Sequence, residues 1–217
     1  MESEFWHNCW QRNTVGFHQQ QVHPFLTEHF TLKCLPTDKH VFVPLCGKTL
    51  DMAYLAQFLR VTGNELSDIA CRDFFLENNI TFQKKKIGNF LQYSCPQLSL
   101  LQGDYFQLST EVIGSIDWVY DRAALIALPP VMQQRYVEHL KSFFAPHTRL
   151  FLITLEFPKK QLSGPPFAIT EEDIARLFTG FNIECAAEHE LKDKQFAQRR
   201  FDVDYLIEKL YIITLAS

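Results

Sequence analysis

Four residues stand at the ends of predicted strands, where a ligand would meet them: Gly47, Glu65, Asp104 and Arg122. The stretch Val41-Phe42-Val43-Pro44-Leu45-Cys46-Gly47-Lys48-Thr49-Leu50-Asp51 runs an apolar strand into a tight turn. A helical pattern follows, with Met52, Leu55, Ala56 and Leu59 at i, i+3, i+4 and i+7. Amides at a helix start lack intrahelical partners and the dipole there favours an anion, so this turn is the expected ligand end of an α/β sheet. Glu65 falls 18 residues after Gly47, at the tip of the next strand. A carboxylate there is acceptor-only and can take both ribose hydroxyls of a nucleotide. Asp104 follows a third strand and can hold the exocyclic amine of a base, while Asp121-Arg122 closes a fourth. A phosphate-cradling loop is the rival reading, because Gly47-Lys48-Thr49 copies the end of G-x-x-x-x-G-K-[ST]. That pattern demands a glycine five residues before Gly47, and Phe42 stands there, which demotes the rival.

The elements that must position these groups alternate. A helix over 21–32, a strand over 41–43 and a helix near 50–59 precede a short strand ending near Glu65. Ser67 caps a helix through Ile69, Ala70, Phe74 and Phe75, which stops at Asn78-Asn79. Residues 84–96 are mixed, a hairpin or an irregular excursion. Strands follow at 98–102 and 116–120, then a helix opened by Pro129-Pro130 with Met132, Tyr136, Leu140 and Phe144 on its apolar face. Residues 149–155 read as a strand buried on both faces. Thr170-Glu171-Glu172-Asp173 caps a last helix, and strands over 182–190 and 206–215 end the chain. The result is one α/β domain, a sheet of about seven mostly parallel strands with helices on both faces and an antiparallel final strand.

Ahead of the first strand, Phe5, Trp6, Trp10 and Phe17 alternate with His7, Asn8, Gln11, Arg12 and His18. Trp6 and Trp10 share a face if this segment is helical. The aromatics are either core or a lid, residues 1–25 folding over a ligand to exclude water. His18, His23 and His29 carry no ligand motif, so no metal is expected.

At 217 residues, 47% hydrophobic and 21% charged, the chain suits a soluble globular domain. Its net charge of −4 and its brief basic runs, Lys84-Lys85-Lys86 and Arg199-Arg200, argue against a nucleic-acid partner. Six scattered cysteines without C-x-x-C suggest buried or half-buried thiols in a reducing compartment. No apolar run approaches membrane-spanning length, and the N-terminus has no signal-peptide pattern. A cytoplasmic monomer acting on a small molecule is expected.

Together these features resemble the class I S-adenosylmethionine-dependent methyltransferases, and more narrowly the thiopurine S-methyltransferase family. The matching residues are Trp6-x-x-x-Trp10, Phe17-His18-Gln19, Pro44-Leu45-Cys46-Gly47-Lys48, Glu65-Leu66-Ser67, Tyr120-Asp121-Arg122-Ala123-Ala124-Leu125, Gly164-Pro165-Pro166-Phe167 and Glu208-Lys209-Leu210-Tyr211. Pro-Leu-Cys-Gly-Lys and Gly-Pro-Pro-Phe are the specific ones; a lone glutamate after the second strand is weak. The resemblance implies methyl transfer from S-adenosylmethionine, without a metal, to the sulfur of aromatic or heterocyclic thiols such as thiopurines, with selenium and tellurium species as further acceptors. It implies that Trp10, Leu45, Glu65 and Arg122 line the cofactor, that Asp104-Tyr105 lies beside the adenine, and that Phe17 and Arg122 lie near the acceptor. The family's second substrate-side arginine would be Arg199 or Arg200. The chain departs from the family at 60–64, a shortened segment with Thr62 and Asn64 where apolar residues are usual. Rival readings are a different small-molecule acceptor, a P-loop-type phosphotransferase and a non-catalytic cofactor-binding module. A structural role for Arg122, paired with Asp121 or Asp117, is the plain alternative to an acceptor-side one.

Overall fold

Alternation along one strand decides the layering. Val41 and Val43 pack with one buried cluster and Phe42 with another, so the central strand is covered on both faces. The computed structural model describes residues 3–216. Its strands are β1 (His40–Val43), β2 (Arg60–Glu65), β3 (Gln83–Ile87), β4 (Phe90–Ser94), β5 (Leu98–Gln102), β6 (Trp118–Arg122), β7 (Arg149–Glu156), β8 (Phe181–Glu190), β9 (Gln195–Phe196), β10 (Arg199–Arg200) and β11 (Ile207–Leu215). Its α-helices are α1 (Ser3–Gln11), α2 (Thr31–Lys33), α3 (Asp51–Leu55), α4 (Asp68–Glu77), α5 (Thr110–Ile113), α6 (Pro130–Lys141) and α7 (Glu171–Leu177).

Among the described residues the main sheet has nine strands in the order β3-β4-β5-β2-β1-β6-β7-β11-β8. Neighbours from β5 through β7 run parallel, whereas β11 is antiparallel to both β7 and β8. The two strands beyond the expected seven are β3 and β4. Residues 84–96, read as a hairpin or excursion, are a hairpin whose inner strand pairs with β5 and extends the sheet edge. Exposed Lys84, Lys85 and Lys86 lie on the outermost strand, where charge discourages further pairing.

Four expected boundaries move. The helix over 50–59 is shorter, α3 ending at Leu55 and turns carrying the chain to Phe58. The helix over 21–32 is a π-turn at Leu26–Phe30 that runs into α2. The fourth strand runs through Arg122, which places Asp121 and Arg122 in the sheet rather than after it. The segment read as shortened is a full strand, paired residue by residue with β1 on one side and β5 on the other. Thr62 is matched and Asn64 half so: Thr62 Oγ1 lies 2.8 Å from His40 Nε2, and Asn64 Nδ2 donates to Leu101 O at 2.9 Å, while Asn64 Oδ1 is buried without a partner among the described residues. Gly63 has no room for a side chain, since a Cβ would stand 2.4 Å from Leu100. Cys185, on the edge strand β8, is exposed, unlike the buried Cys46 and Cys71. No helix among the described residues is long and apolar enough to cross a membrane.

Tyr136, Val137 and Leu140 of α6, with Ile174 and Leu177 of α7, cover one face. Met52 and Leu55 of α3, Phe74 and Phe75 of α4, and the π-turn residues Leu26 and Phe30 cover the other. Burying these apolar faces holds the carboxyl ends of β1, β2, β5 and β6 side by side. In an open sheet that edge is the ligand-binding one.

Candidate active site

The turn after β1 is built from constrained backbone. Leu45 (φ 45) and Gly47 (φ 55) are left-handed, a conformation that disfavours a side chain and is tolerated at Leu45 by the surrounding contacts. The turn's amides are consumed by the protein itself. Cys46 N–H donates to Asn64 O at 2.8 Å, Gly47 N–H to Glu65 Oε2 at 2.9 Å, and Thr49 N–H to Cys46 O at 3.4 Å. Lys48 reaches away from the turn to Glu77 at 2.6 Å. A phosphate cradle needs those donors, so the P-loop reading loses its physical basis.

Glu65 anchors this corner. One carboxylate oxygen takes the Gly47 amide and the other the Ser67 amide at 2.7 Å. Burial pushes the carboxyl above its usual range, against the pull of the Ser67, Gly47 and Leu66 amides. A carboxylate offers about four lone-pair sites, so acceptor capacity is left for a ligand's hydroxyls. Beside it, Asn64 Nδ2 also donates to Gly103 O at 3.1 Å, tying down the turn that carries Asp104-Tyr105. Asp104 stays exposed and caps a short turn through Phe106 N–H at 3.0 Å. Tyr105 is buried, its hydroxyl directed at Tyr136 O, and Arg135 stacks 4.0 Å over the ring of Phe106.

Arg122 is held from below. Its Nε donates to Asp51 Oδ2 at 2.8 Å and its Nη2 to Thr49 Oγ1 at 2.6 Å. Asp51 is wholly buried and also accepts from Tyr120 OH and His23 N–H, each at 2.9 Å. Burial alone would raise the Asp51 carboxyl; Arg122, the His23 amide and Tyr120 outweigh it and hold it below its usual range. The pairing considered from sequence, with Asp121 or Asp117, does not form. Successive strand residues face opposite ways. Asp121 accordingly turns to the other face, accepting from Ala124 N–H, Leu125 N–H and Tyr136 OH, and Asp117 accepts from Lys39 N–H and His40 N–H.

Aromatic side chains close the site from above. Trp10 of α1 is buried and its ring lies over Gly47, where a Cβ would come within 3.3 Å of it. Phe17 packs edge-on against Trp6 and Trp10, each ring pair 5.7 Å apart. Facing them, the β9–β10 hairpin presents Phe196, Arg199 and Phe201. Arg199 passes over Gly16, where a Cβ would clash at 2.9 Å, and donates to Pro165 O at 3.2 Å.

One cavity of about 480 Å³ joins these walls. It is lined by Trp10, Phe17, Leu45, Gly47, Glu65, Asp104, Tyr105, Arg122 and Arg199, so nine of the ten expected site residues meet. Arg200 is the exception. It follows Arg199 on a two-residue strand, is exposed, and does not line the cavity, because alternation sends it to the other side. The sequence reading missed Phe196, Phe201 and Arg135 as cavity-lining residues. Two phenylalanines flanking an arginine pair inside a charged loop were the available signal for the hairpin.

Residues 1–216 match the family described as Thiopurine S-methyltransferase (TPMT). The chain belongs to the thiopurine S-methyltransferase family. Among its relatives in this family, the thiopurine S-methyltransferase of Photobacterium profundum is 40% identical over the whole of both chains. That of Methylococcus capsulatus is 41% identical, with 97% of this chain and 96% of the relative covered. That of Pseudomonas aeruginosa is 37% identical over 98% and 99%. Among solved structures, a SAM-dependent methyltransferase from Anabaena variabilis superposes with a TM-score of 0.66 at 16% identity, covering 98% of this chain and 94% of that one. Magnesium protoporphyrin IX methyltransferase from Synechocystis with bound SAH superposes at 0.64, 16% identity, over 98% and 97%. At that identity the likeness is one of fold, and the fold is the class I methyltransferase fold expected from the sequence.

Proposed function

We propose that this chain transfers a methyl group from S-adenosylmethionine to the sulfur of an aromatic or heterocyclic thiol, thiopurines included, leaving S-adenosylhomocysteine and a thioether. One observation carries the proposal beyond family membership: a nucleoside-type half, Gly47, Glu65 and Asp104, and an aromatic–cationic half, Phe17, Arg122 and Arg199, line one cavity. The volume, about 480 Å³, falls within the range of small-molecule sites, roughly 300–1,000 Å³.

The residues fit the methyl donor. Glu65 keeps acceptor sites for the ribose hydroxyls, and Asp104 stands where an exocyclic amine can donate to it. Leu45 and Tyr105 supply apolar walls, and Trp10 lies over the Gly47 turn where the amino-acid end would sit. S-adenosylmethionine, when bound, supplies a methyl group already electrophilic on a sulfonium. The chain's own task is to align the acceptor and exclude water, an effect worth up to about 7–11 kcal/mol for well-oriented reactants. Phe17, Phe196 and Phe201 offer faces for a flat ring, and Arg122 and Arg199 offer donors to its negative edge. Residues 3–18 form the lid over this pair.

Calorimetry with S-adenosylhomocysteine followed by turnover against a panel of aryl thiols and selenols tests the proposal. Binding with methylation of sulfur is expected. Binding without turnover of any acceptor would leave a cofactor-binding module, and no binding would sink the reading altogether.

A further inference from the structure

The cavity holds a titratable group on its acceptor side that alignment alone does not use. His18 lies beside Phe17 on the acceptor side, half-buried, with Thr49, Lys48 and Arg122 in the same wall. Its backbone is clamped: His18 N–H donates to Val15 O at 2.8 Å, and Gln198 Nε2 donates to His18 O at 3.1 Å. Gln198 N–H also donates to Gly16 O at 3.2 Å, so the loop is fixed to the β9–β10 hairpin opposite. Among the described residues the two fully buried histidines are committed. His23 lies between Glu208 and Phe25 N–H, and His40 between Ser115 O and Thr62 Oγ1. The His18 ring makes no hydrogen bond among the described residues.

Resting on the methyl-transfer reading, we propose that His18 is the proton acceptor for substrates that enter the cavity as un-ionised thiols, so that the enzyme is not limited to acceptors that arrive as thiolates. The lone pair of one ring nitrogen takes the proton from sulfur. The sulfur electron pair forms the new carbon–sulfur bond as the methyl–sulfonium bond breaks, giving two neutral thioethers and an imidazolium that loses its proton to water. Charge balances: one sulfonium cation is consumed and one proton is released.

The electrostatics of the wall support this role. Burial, then Lys48 and Arg122, hold the imidazole below its ordinary pKa, with Glu77 and Asp51 acting weakly the other way. His18 is therefore the free base at neutral pH. The same two cations that disfavour an imidazolium favour a thiolate beside them. The proton transfer thus produces one species the site stabilises for each one it does not, and the nascent ion pair attracts itself.

Two acceptors separate the proposal from its premise: a nitro-substituted benzenethiol, ionised at neutral pH, and phenylmethanethiol, which keeps its proton. The wild-type enzyme is expected to methylate both. His18→Gln should lower kcat for phenylmethanethiol by roughly 10²-fold, the lower end of general-base contributions, and leave the nitro thiol unchanged. The acidic limb of the phenylmethanethiol kcat/KM profile should vanish in the variant. Nitrogen-15 NMR of the wild-type imidazole should show it neutral at pH 7. Calorimetry with S-adenosylhomocysteine shows whether the variant keeps its fold. If both acceptors fall equally, if neither falls, if His7→Gln rather than His18→Gln gives the selective loss, or if the ring is protonated at pH 7, His18 is not the base although methyl transfer stands. If the wild type methylates neither thiol, the methyl-transfer reading fails and this proposal with it.

Discussion

Arg122 reaches the cavity with Nε and Nη2 already spent on Asp51 and Thr49, which fixes how it can meet a substrate. A planar fork held on one side offers its remaining donors in one orientation, and lysine cannot copy that. Arg122→Lys should therefore lose much of kcat/KM for a heterocyclic thiol while the charge is kept. Arg122→Ala should forfeit about 1.5–3 kcal/mol of transition-state stabilisation. It should also strand the buried Asp51 carboxylate, a loss of roughly 3–5 kcal/mol in unfolding free energy. Equal losses for every acceptor, with S-adenosylhomocysteine binding abolished, would assign Arg122 to the donor or the fold. Glu65 calls for the same pair of measurements. Glu65→Ala should weaken S-adenosylhomocysteine by about 1–3 kcal/mol in calorimetry. Because it also frees the Gly47 and Ser67 amides, the unfolding midpoint should fall too; unchanged affinity would remove the ribose role. Spacing placed Glu65 at the tip of the second strand, and the structure puts it there, on the cavity wall. Its Gly47 amide partner was not legible, because it depends on the left-handed Leu45 and Gly47. Nor was Asp51 as the partner of Arg122. The two lie 71 residues apart, and the acids nearest in sequence face away.

At the scale of elements, local chemistry was read well where it was self-contained. Ser67 caps α4 through Ala70 N–H, and Thr170 with Asp173 forms the reciprocal cap of α7. Strand number was read poorly, because Lys84-Lys85-Lys86 obscures the alternation of an edge strand that meets solvent. The α7 cap carries a pH signature. Partial burial works to raise the Asp173 carboxyl, but Lys159, the Thr170 amide and hydroxyl, and Arg176 bring it down to about 2. A carboxyl lowered on folding stabilises the native state above its unfolded pKa, and that stabilisation is lost as pH falls through the folded value. Asp173→Ala should thus cost about 1 kcal/mol at neutral pH, the usual worth of a cap. In urea titrations repeated at falling pH, the gap between wild type and variant should close between the ordinary aspartate range and about 2. A gap that stays constant would mean the carboxylate charge contributes nothing.

Across the whole molecule, the sheet order explains why so distant a set of residues shares one cavity. With β1 at the centre, β2 and β5 lie on one side of it and β6 on the other, so residues 47, 65, 104 and 122 end at the same edge. The N-terminal segment is attached differently. Trp10 and Val15 pack mainly on Ala70, a cluster separate from the two that cover the sheet. At His23 the chain is fixed, its amide on Asp51 and its ring on Glu208 of β11. Opening of residues 3–18 about the 19–22 segment would break the Trp10 and Val15 contacts with Ala70 and the Gln198 hydrogen bonds to Gly16 O and His18 O, and would leave the main sheet undisturbed. If they must be shut for S-adenosylhomocysteine to bind, ligand at 100 times its Kd adds about 2.7 kcal/mol to the cost of opening. Tryptic cleavage after Arg12 and chymotryptic cleavage after Phe17 should then slow by roughly 100-fold. Cleavage in the sheet should follow global unfolding, not opening at residues 19–22. Equal nicking of the N-terminal segment with and without ligand would make Trp6, Trp10 and Phe17 ordinary core residues and leave the cavity permanently roofed.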